Sequence, residues 1–257
     1  APQIYEEQKV PSMFRPLAEA TLRKVEVHEG ARVIDIACGT GIVARLVAQN
    51  VGKSGSVVGV DLNAGMIEVA KQSANSTGSN LEWRQGDVTA LPFPDASFDL
   101  AFCQQGLQFF PDKPAALKEI RRVLAPGGSV SLTVWSEVPQ WGLAIADGLT
   151  RYVSAEAAKT SLAPFAFHDP KVIKALFVEA GFLDIQMEIL TVDRRLGPAE
   201  ESIPAEMAGA AYGNDVGKLD TATLMALVKE VAAALQNYRK DDGFAVPHKA
   251  HLIQAKA

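Results

Sequence analysis

Between residues 32 and 135 the chain alternates short apolar, β-branched runs with longer amphipathic stretches. RVIDIA (32–37), SVVGV (56–60), LEWRQ (81–85), FDLAFC (98–103) and SVSLTVW (129–135) read as strands. IVARLVAQN (42–50), residues 63–74 and residues 113–124 read as helices, the last ending at the stop signal Pro126-Gly127-Gly128. Strands separated by helices of this length build βαβ units and a parallel sheet. Right-handed crossovers then place every strand C-terminus on one edge. Ligands bind at that edge, near the point where the strand order reverses.

The flanks are less regular. Residues 12–26 predict a helix with Ser12 as its N-cap and Phe14, Leu17, Leu22 and Val25 on its apolar side. After Trp135, helices are expected over 140–154, 170–180 and 220–239. Asp169-Pro170 reads as a cap followed by proline at the first helical position. Residues 183–192 and 245–255 read as two last strands. Residues 193–218 carry few signals and read as an insertion over the open edge, not as a separate domain.

Composition narrows the classes. The 257 residues are 48% hydrophobic and 21% charged, enough for a core without disulfide or metal staples. Lys plus Arg number 25 against 30 Asp plus Glu, a formal charge of −5 that speaks against a nucleic-acid partner. The pairs Arg121-Arg122 and Arg194-Arg195 read as solvated surface. Two cysteines, Cys38 and Cys103, exclude a disulfide framework and a four-cysteine zinc site, and are expected as buried reduced thiols. His28, His248 and His251 lack acidic or thiol partners at metal spacing, so no metal site is expected. No apolar run reaches the ~18 residues of a membrane span. APQIYEEQKV has no apolar signal core, so a soluble cytoplasmic protein is expected; its oligomeric state is left open.

Three features carry chemistry. In VIDIACGTG (33–41) a buried strand enters a tight turn, where Gly39 and Gly41 let the backbone approach a ligand. The following helix offers its N-terminal amides. Asp61, 22 residues after Gly39, ends the second strand, where an acid typically accepts hydrogen bonds from ribose hydroxyls. Asp87, after the third strand, lies where it would accept from an adenine amino group, with Leu62 and Val88 flanking the ring. Each has a plain structural counterpart: an ordinary turn, a helix cap and an Asx turn.

With these residues in hand, the chain resembles the class I S-adenosylmethionine-dependent methyltransferases, nearest the ubiquinone and menaquinone C-methyltransferase branch. The likeness runs from about Tyr5 to Trp135 through VIDIACGTG, GVDLNAGMI, GDVTALPFPDASFD, CQQGLQFFPD and EIRRVLAPGGSVSLTVW. Ala37 stands where the family often has glycine. The resemblance implies an α/β, Rossmann-like, doubly wound sheet of seven strands. It adds a final antiparallel strand, helices on both faces and a helical insertion near the C-terminus. One domain would cover 1–257, with an N-terminal helical segment (1–30), a cofactor-binding core (31–136) and substrate-side elements with the last strands (137–257). It also implies a cofactor site of Asp35, Ala37, Gly39, Thr40, Gly41, Asp61, Leu62, Met66, Gly86, Asp87, Val88 and Gln104. That site would bind S-adenosyl-L-methionine and release S-adenosyl-L-homocysteine.

The expected reaction is in-line transfer of a methyl group to a small, apolar or aromatic acceptor. Proximity and orientation supply much of such catalysis, so no catalytic residue is assigned. Gln105 and Gln108 are candidates for orienting the acceptor, Phe109 for lining its pocket, Tyr5 for closing over the cofactor and His168 for a base. Two other readings stand beside this one. A protein of the same fold can bind the cofactor for non-methyl chemistry. Gly39-x-Gly41-x-x-Ala44 with Asp61 also suits a nicotinamide oxidoreductase, which leaves Asp87 unexplained.

Overall fold

Val33, Ile34 and Ile36 are almost wholly buried, as a strand covered on both faces requires. They belong to β1 (Arg32–Ile36), which lies between β2 (Ser56–Asp61) and β4 (Phe98–Gln104), parallel to both. The computed structural model describes residues 2–74, 80–241 and 243–257. Its sheet continues with β3 (Leu81–Gln85) beside β2 and β5 (Leu124–Trp135) beside β4, again parallel. Three further strands, β6 (Leu183–Leu196), β7 (Arg239–Lys240) and β8 (Gly243–Lys256), complete the order β3-β2-β1-β4-β5-β8-β6, with β7 off the path on β8. The final strand β8 is antiparallel to β5 and β6, as expected. The sheet has eight strands, not seven, because the two-residue β7 pairs with the start of β8.

Helices cover both faces. On one, Leu117 and Ile120 of the helix Lys113–Val123 join Ile173 and Phe177 of the helix Pro170–Glu179 against Ile34, Leu132 and Ile253. On the other, Val43 and Val47 of the helix Ile42–Asn50 pack with Val33, Val57 and Phe102. Asp169 caps its helix by accepting the Lys171 N–H at 2.8 Å, as expected.

β6 and β8 outrun their neighbour. The β5–β8 ladder stops at Trp135 opposite Ala250, whereas the β6–β8 ladder continues to Leu196 opposite Phe244. This two-stranded ribbon projects past the sheet and packs Leu196, Phe244 and Val246 under a helical cap. The cap is built from the helices Gln140–Tyr152, Ala199–Ala208 and Thr221–Ala234. The helix Ala155–Leu162, capped by Ser154, was not foreseen in the loose region after Trp135. The segment 193–218 therefore holds the end of β6 and two helices, Ala199–Ala208 and Gly213–Val216.

The N-terminal helical run differs most from expectation. It begins at Pro2, and its central part, Tyr5–Phe14, winds as a π-helix before the α-helix Arg15–Leu22. Ser12 is no cap: its hydroxyl lies inside the helix, donating to the Lys9 carbonyl at 3.4 Å. The run is tied to the helix Ile42–Asn50 by Glu6 and Arg45, 2.7 Å apart, and to β4 through Gln104 Nε2, which donates to the Phe14 carbonyl at 3.1 Å. Among the described residues no helix is long and apolar enough to cross a membrane.

Candidate active site

A cleft of about 810 Å³ opens at the C-terminal ends of β1, β2 and β4, the switch point of the sheet. Its floor is the turn after β1. Ala37 adopts φ +52°, Gly39 φ +56° and Gly41 φ +86° before the helix Ile42–Asn50 begins. Gly39 lies under the Tyr5 ring, which would stand 3.7 Å from a side-chain carbon at that position. Gly41 is glycine for another reason: any side chain there would collide with Trp83. Neither Gly41 nor the buried Thr40 lines the cleft.

Asp61 joins β2 to this turn. Its Oδ2 accepts the Gly39 N–H and its Oδ1 the Asn63 N–H, both at 2.8 Å. Asn63, not Asp61, caps the next helix by accepting the Gly65 N–H at 2.9 Å. Asp35 stands behind the turn, wholly buried, and accepts the Ala44 N–H at 3.0 Å. Burial pushes its carboxyl up to about 8; the Ala44 bond opposes this and the Asp61 charge adds to it. Asp35 supports the turn from the core and does not line the cleft.

Leu62, Met66, Gly86, Asp87 and Val88 line the side nearest β2 and β3, with Leu62 strongly exposed at the rim. Asp87 Oδ1 forms an Asx turn, accepting from the Thr89 N–H and hydroxyl at 2.8 Å, which hold the carboxyl below the usual range. Gln104, Gln105 and Gln108 line the side after β4. Gln105 is buried at φ +57°, and Gln108 Nε2 donates to its Oε1 at 2.8 Å. Gln104 Oε1, Gln105 Nε2 and Gln108 Oε1 remain buried without a hydrogen-bond partner. Such groups are rare in native proteins. Phe109 lines the cleft with most of its side chain exposed. Tyr5 stacks on Phe14, centroids 5.0 Å apart; burial, with the charges of Asp61 and Glu6, raises its hydroxyl far above the usual range.

His168 is a correction. It lies outside the cleft, with Nδ1 2.8 Å from the Phe165 carbonyl and its own carbonyl 3.0 Å from His251 Nε2. Cys38 and Cys103 are both buried and unbridged, their thiols raised by burial. Among the described residues no group of three or more His, Cys, Asp or Glu side chains could hold a metal.

The second lobe of the cleft, beneath the helical cap, was missed in the sequence. Trp135, Trp141, Phe165 and Tyr212 line it with Lys9, Arg194 and Glu206. Arg194 is not solvated surface: it is buried, pairs with the buried Glu206 and lies 4.7 Å over the Trp141 ring. The alternation over 190–196, buried at Leu190, Val192, Arg194 and Leu196, was the available signal. Arg195 is exposed, as expected.

Comparison with known proteins agrees with this architecture. A methyltransferase-domain family model matches residues 33–128. A demethylmenaquinone methyltransferase of Staphylococcus epidermidis is 33% identical over 184 residues, covering 65% of this chain and 74% of the relative. A ubiquinone/menaquinone biosynthesis C-methyltransferase of Xanthomonas oryzae pv. oryzae is 44% identical over 115 residues, 44% of this chain and 46% of the relative. Among solved structures, a Haemonchus contortus phosphoethanolamine N-methyltransferase in complex with S-adenosyl-L-methionine superposes with a TM-score of 0.59. It is 23% identical, over 93% of this chain and 52% of that one. The open α/β sheet, the turn held by Asp61 and these relatives converge: the chain belongs to the S-adenosylmethionine-dependent methyltransferases, among the relatives of the quinone C-methyltransferases.

Proposed function

We propose that this enzyme methylates a small, apolar, ring-bearing acceptor, held in the same chamber as its cofactor. The observation that carries the reading is the continuity of the cleft from the Gly39 turn to the aromatic lobe under the cap. The relatives act on quinone precursors by name, and a quinone-like or polyketide-like acceptor suits the Trp and Phe lining.

The cradle fits S-adenosylmethionine. A carboxylate has about four lone-pair sites. Asp61 gives one on each oxygen to a backbone N–H, leaving the others for ribose hydroxyls. Leu62, Met66 and Val88 would sandwich the adenine, with Asp87 facing its amino group. Ala37 to Gly41 and Gln104 would hold the methionine end, where Gln104 Oε1 lacks a partner.

When bound, the cofactor supplies a methyl group already activated by its sulfonium. The chain has to align the acceptor and exclude water. Gln105 and Gln108 present unpartnered amide atoms that would orient an acceptor oxygen, but amides take no proton at neutral pH. Tyr5 stays a neutral phenol over the turn and shuts out solvent. The acidic charge balance speaks against nucleic acid as a partner.

The test is to incubate the purified protein with S-adenosylmethionine and a set of hydroxynaphthoquinones and hydroxybenzoates, and to follow S-adenosylhomocysteine by mass spectrometry. Acceptor-dependent product, with a mass gain of one methylene on the acceptor, is expected. Turnover on large substrates alone would overturn the proposal.

A further inference from the structure

The cap side of the chamber holds an unusual charge count. Arg194 of β6 pairs with Glu206 of the helix Ala199–Ala208, and Lys9 Nζ of the N-terminal helix lies 3.8 Å from the same carboxylate. Two cations thus surround one anion. The other titratable groups packed here are neutral: burial holds the Tyr212 hydroxyl up at about 12, and burial with the Arg194 charge holds His248 down at about 3. At full charge Lys9 and Arg194 outnumber the one carboxylate by one beside aromatic walls; burial lowers the partly exposed Lys9 ammonium from its ordinary value, and the Glu206 charge opposes that. Arg194 lies over the Trp141 ring, and its buried Nε finds no acceptor in the protein.

Buried charges are ordinarily paired, because an uncompensated one is costly. A guanidinium and an ammonium meeting at one place suit an anionic oxygen. We propose that the acceptor lobe selects a ring-bearing acceptor that carries one anionic oxygen, a carboxylate or an ionised hydroxyl, held by Lys9 and Arg194 with its ring among Trp135, Trp141 and Tyr212. The inference rests on the reading of this lobe as the acceptor site. In the ionised-hydroxyl form the phenolate pair is already free or delocalised into the ring, so that form needs no base to activate it; a carboxylate would serve recognition only.

Calorimetry on protein loaded with S-adenosylhomocysteine tests this with three matched probes: 2-naphthoate, 2-naphthamide and 2-naphthol. At pH 7.5 the wild type should bind the carboxylate about tenfold or more tighter than the neutral amide. Lys9→Met removes the unbalanced charge and should shrink that ratio to about twofold or less. Glu206→Gln adds to it and should widen the ratio. A merely structural role would move both variants the same way. Binding of 2-naphthol with proton release, read from the dependence of its heat on the buffer, marks the ionised hydroxyl as a recognised form; tight binding of 2-naphthoate alone marks the carboxylate. Equal affinity for 2-naphthoate and 2-naphthamide in the wild type overturns the charge selection. No binding by any of the three overturns the ring-bearing site as well. The S-adenosylhomocysteine titration is read separately: its loss in the wild type would instead sink the placement of the cofactor.

Discussion

Asp61 accepts the Gly39 N–H at 2.8 Å, so the acid that ends β2 also holds the turn that ends β1. Asp61→Ala removes the support of the turn together with the acceptor proposed for the ribose. Binding of S-adenosylhomocysteine should weaken by ~1.5–3 kcal/mol, the worth of hydrogen bonds to a charged group. Unchanged affinity by calorimetry would mean that the ribose lies elsewhere.

Ala37 has φ +52° in the floor of the cleft, with its methyl close to Gly106. A β-branched residue is poorly tolerated there. Ala37→Val should cost ~1–3 kcal/mol in chemical denaturation. Ala37→Gly should stay within ~1 kcal/mol of the parent, because relief of left-handed strain is offset by the extra freedom of the unfolded chain. A valine variant as stable as the parent would contradict the backbone geometry at this turn.

Asp35 gives stability a pH dependence of known sign. Its folded pKa, about 8, lies above the ordinary value of 3.8. The folded state therefore binds the extra proton, and the Asp35 contribution is full below about pH 4 and is lost as pH rises through the folded value near 8. Asp35→Asn keeps an acceptor for the Ala44 N–H but does not titrate. Urea midpoints at pH 5, 6.5 and 8 should show the variant gaining on the parent as pH rises. Parallel curves would show that Asp35 does not take up a proton on folding.

Tyr5 is expected to act on cofactor binding through its ring. Its stack on Phe14 and its place over Gly39 survive in Tyr5→Phe, which should bind S-adenosylhomocysteine within about twofold of the wild type. Tyr5→Ala opens the turn to water and should lose about tenfold. A large loss already in the phenylalanine variant would move the role to the hydroxyl.

The inner parallel strands β1, β2, β4 and β5 were readable because they are buried on both faces, which makes each a short apolar run; the edge strand β3, LEWRQ, is largely exposed. Asp61 and Asp87 were readable because strand ends on one edge share a function. The cap side was not. Lys9, Arg194 and Glu206 come from three distant segments, and the alternation that buries Arg194 was obscured by its exposed neighbour Arg195. His168 looked available beside a helix cap, but a local bond to the Phe165 carbonyl takes its ring away from the cleft. The π-helix at Tyr5–Phe14 departs from the usual period, so no helical apolar pattern is visible before Ser12.

That same N-terminal helix reaches both ends of the chamber, with Tyr5 over the glycine turn and Lys9 against Glu206. A cofactor and an acceptor bound as proposed at those two ends would be coupled through one piece of backbone. Whatever free energy the cofactor spends in settling this helix is spared when the acceptor arrives, and the reverse holds by the same factor. Cofactor and acceptor should thus bind with positive cooperativity, and an empty acceptor lobe should let S-adenosylhomocysteine leave more readily than a filled one.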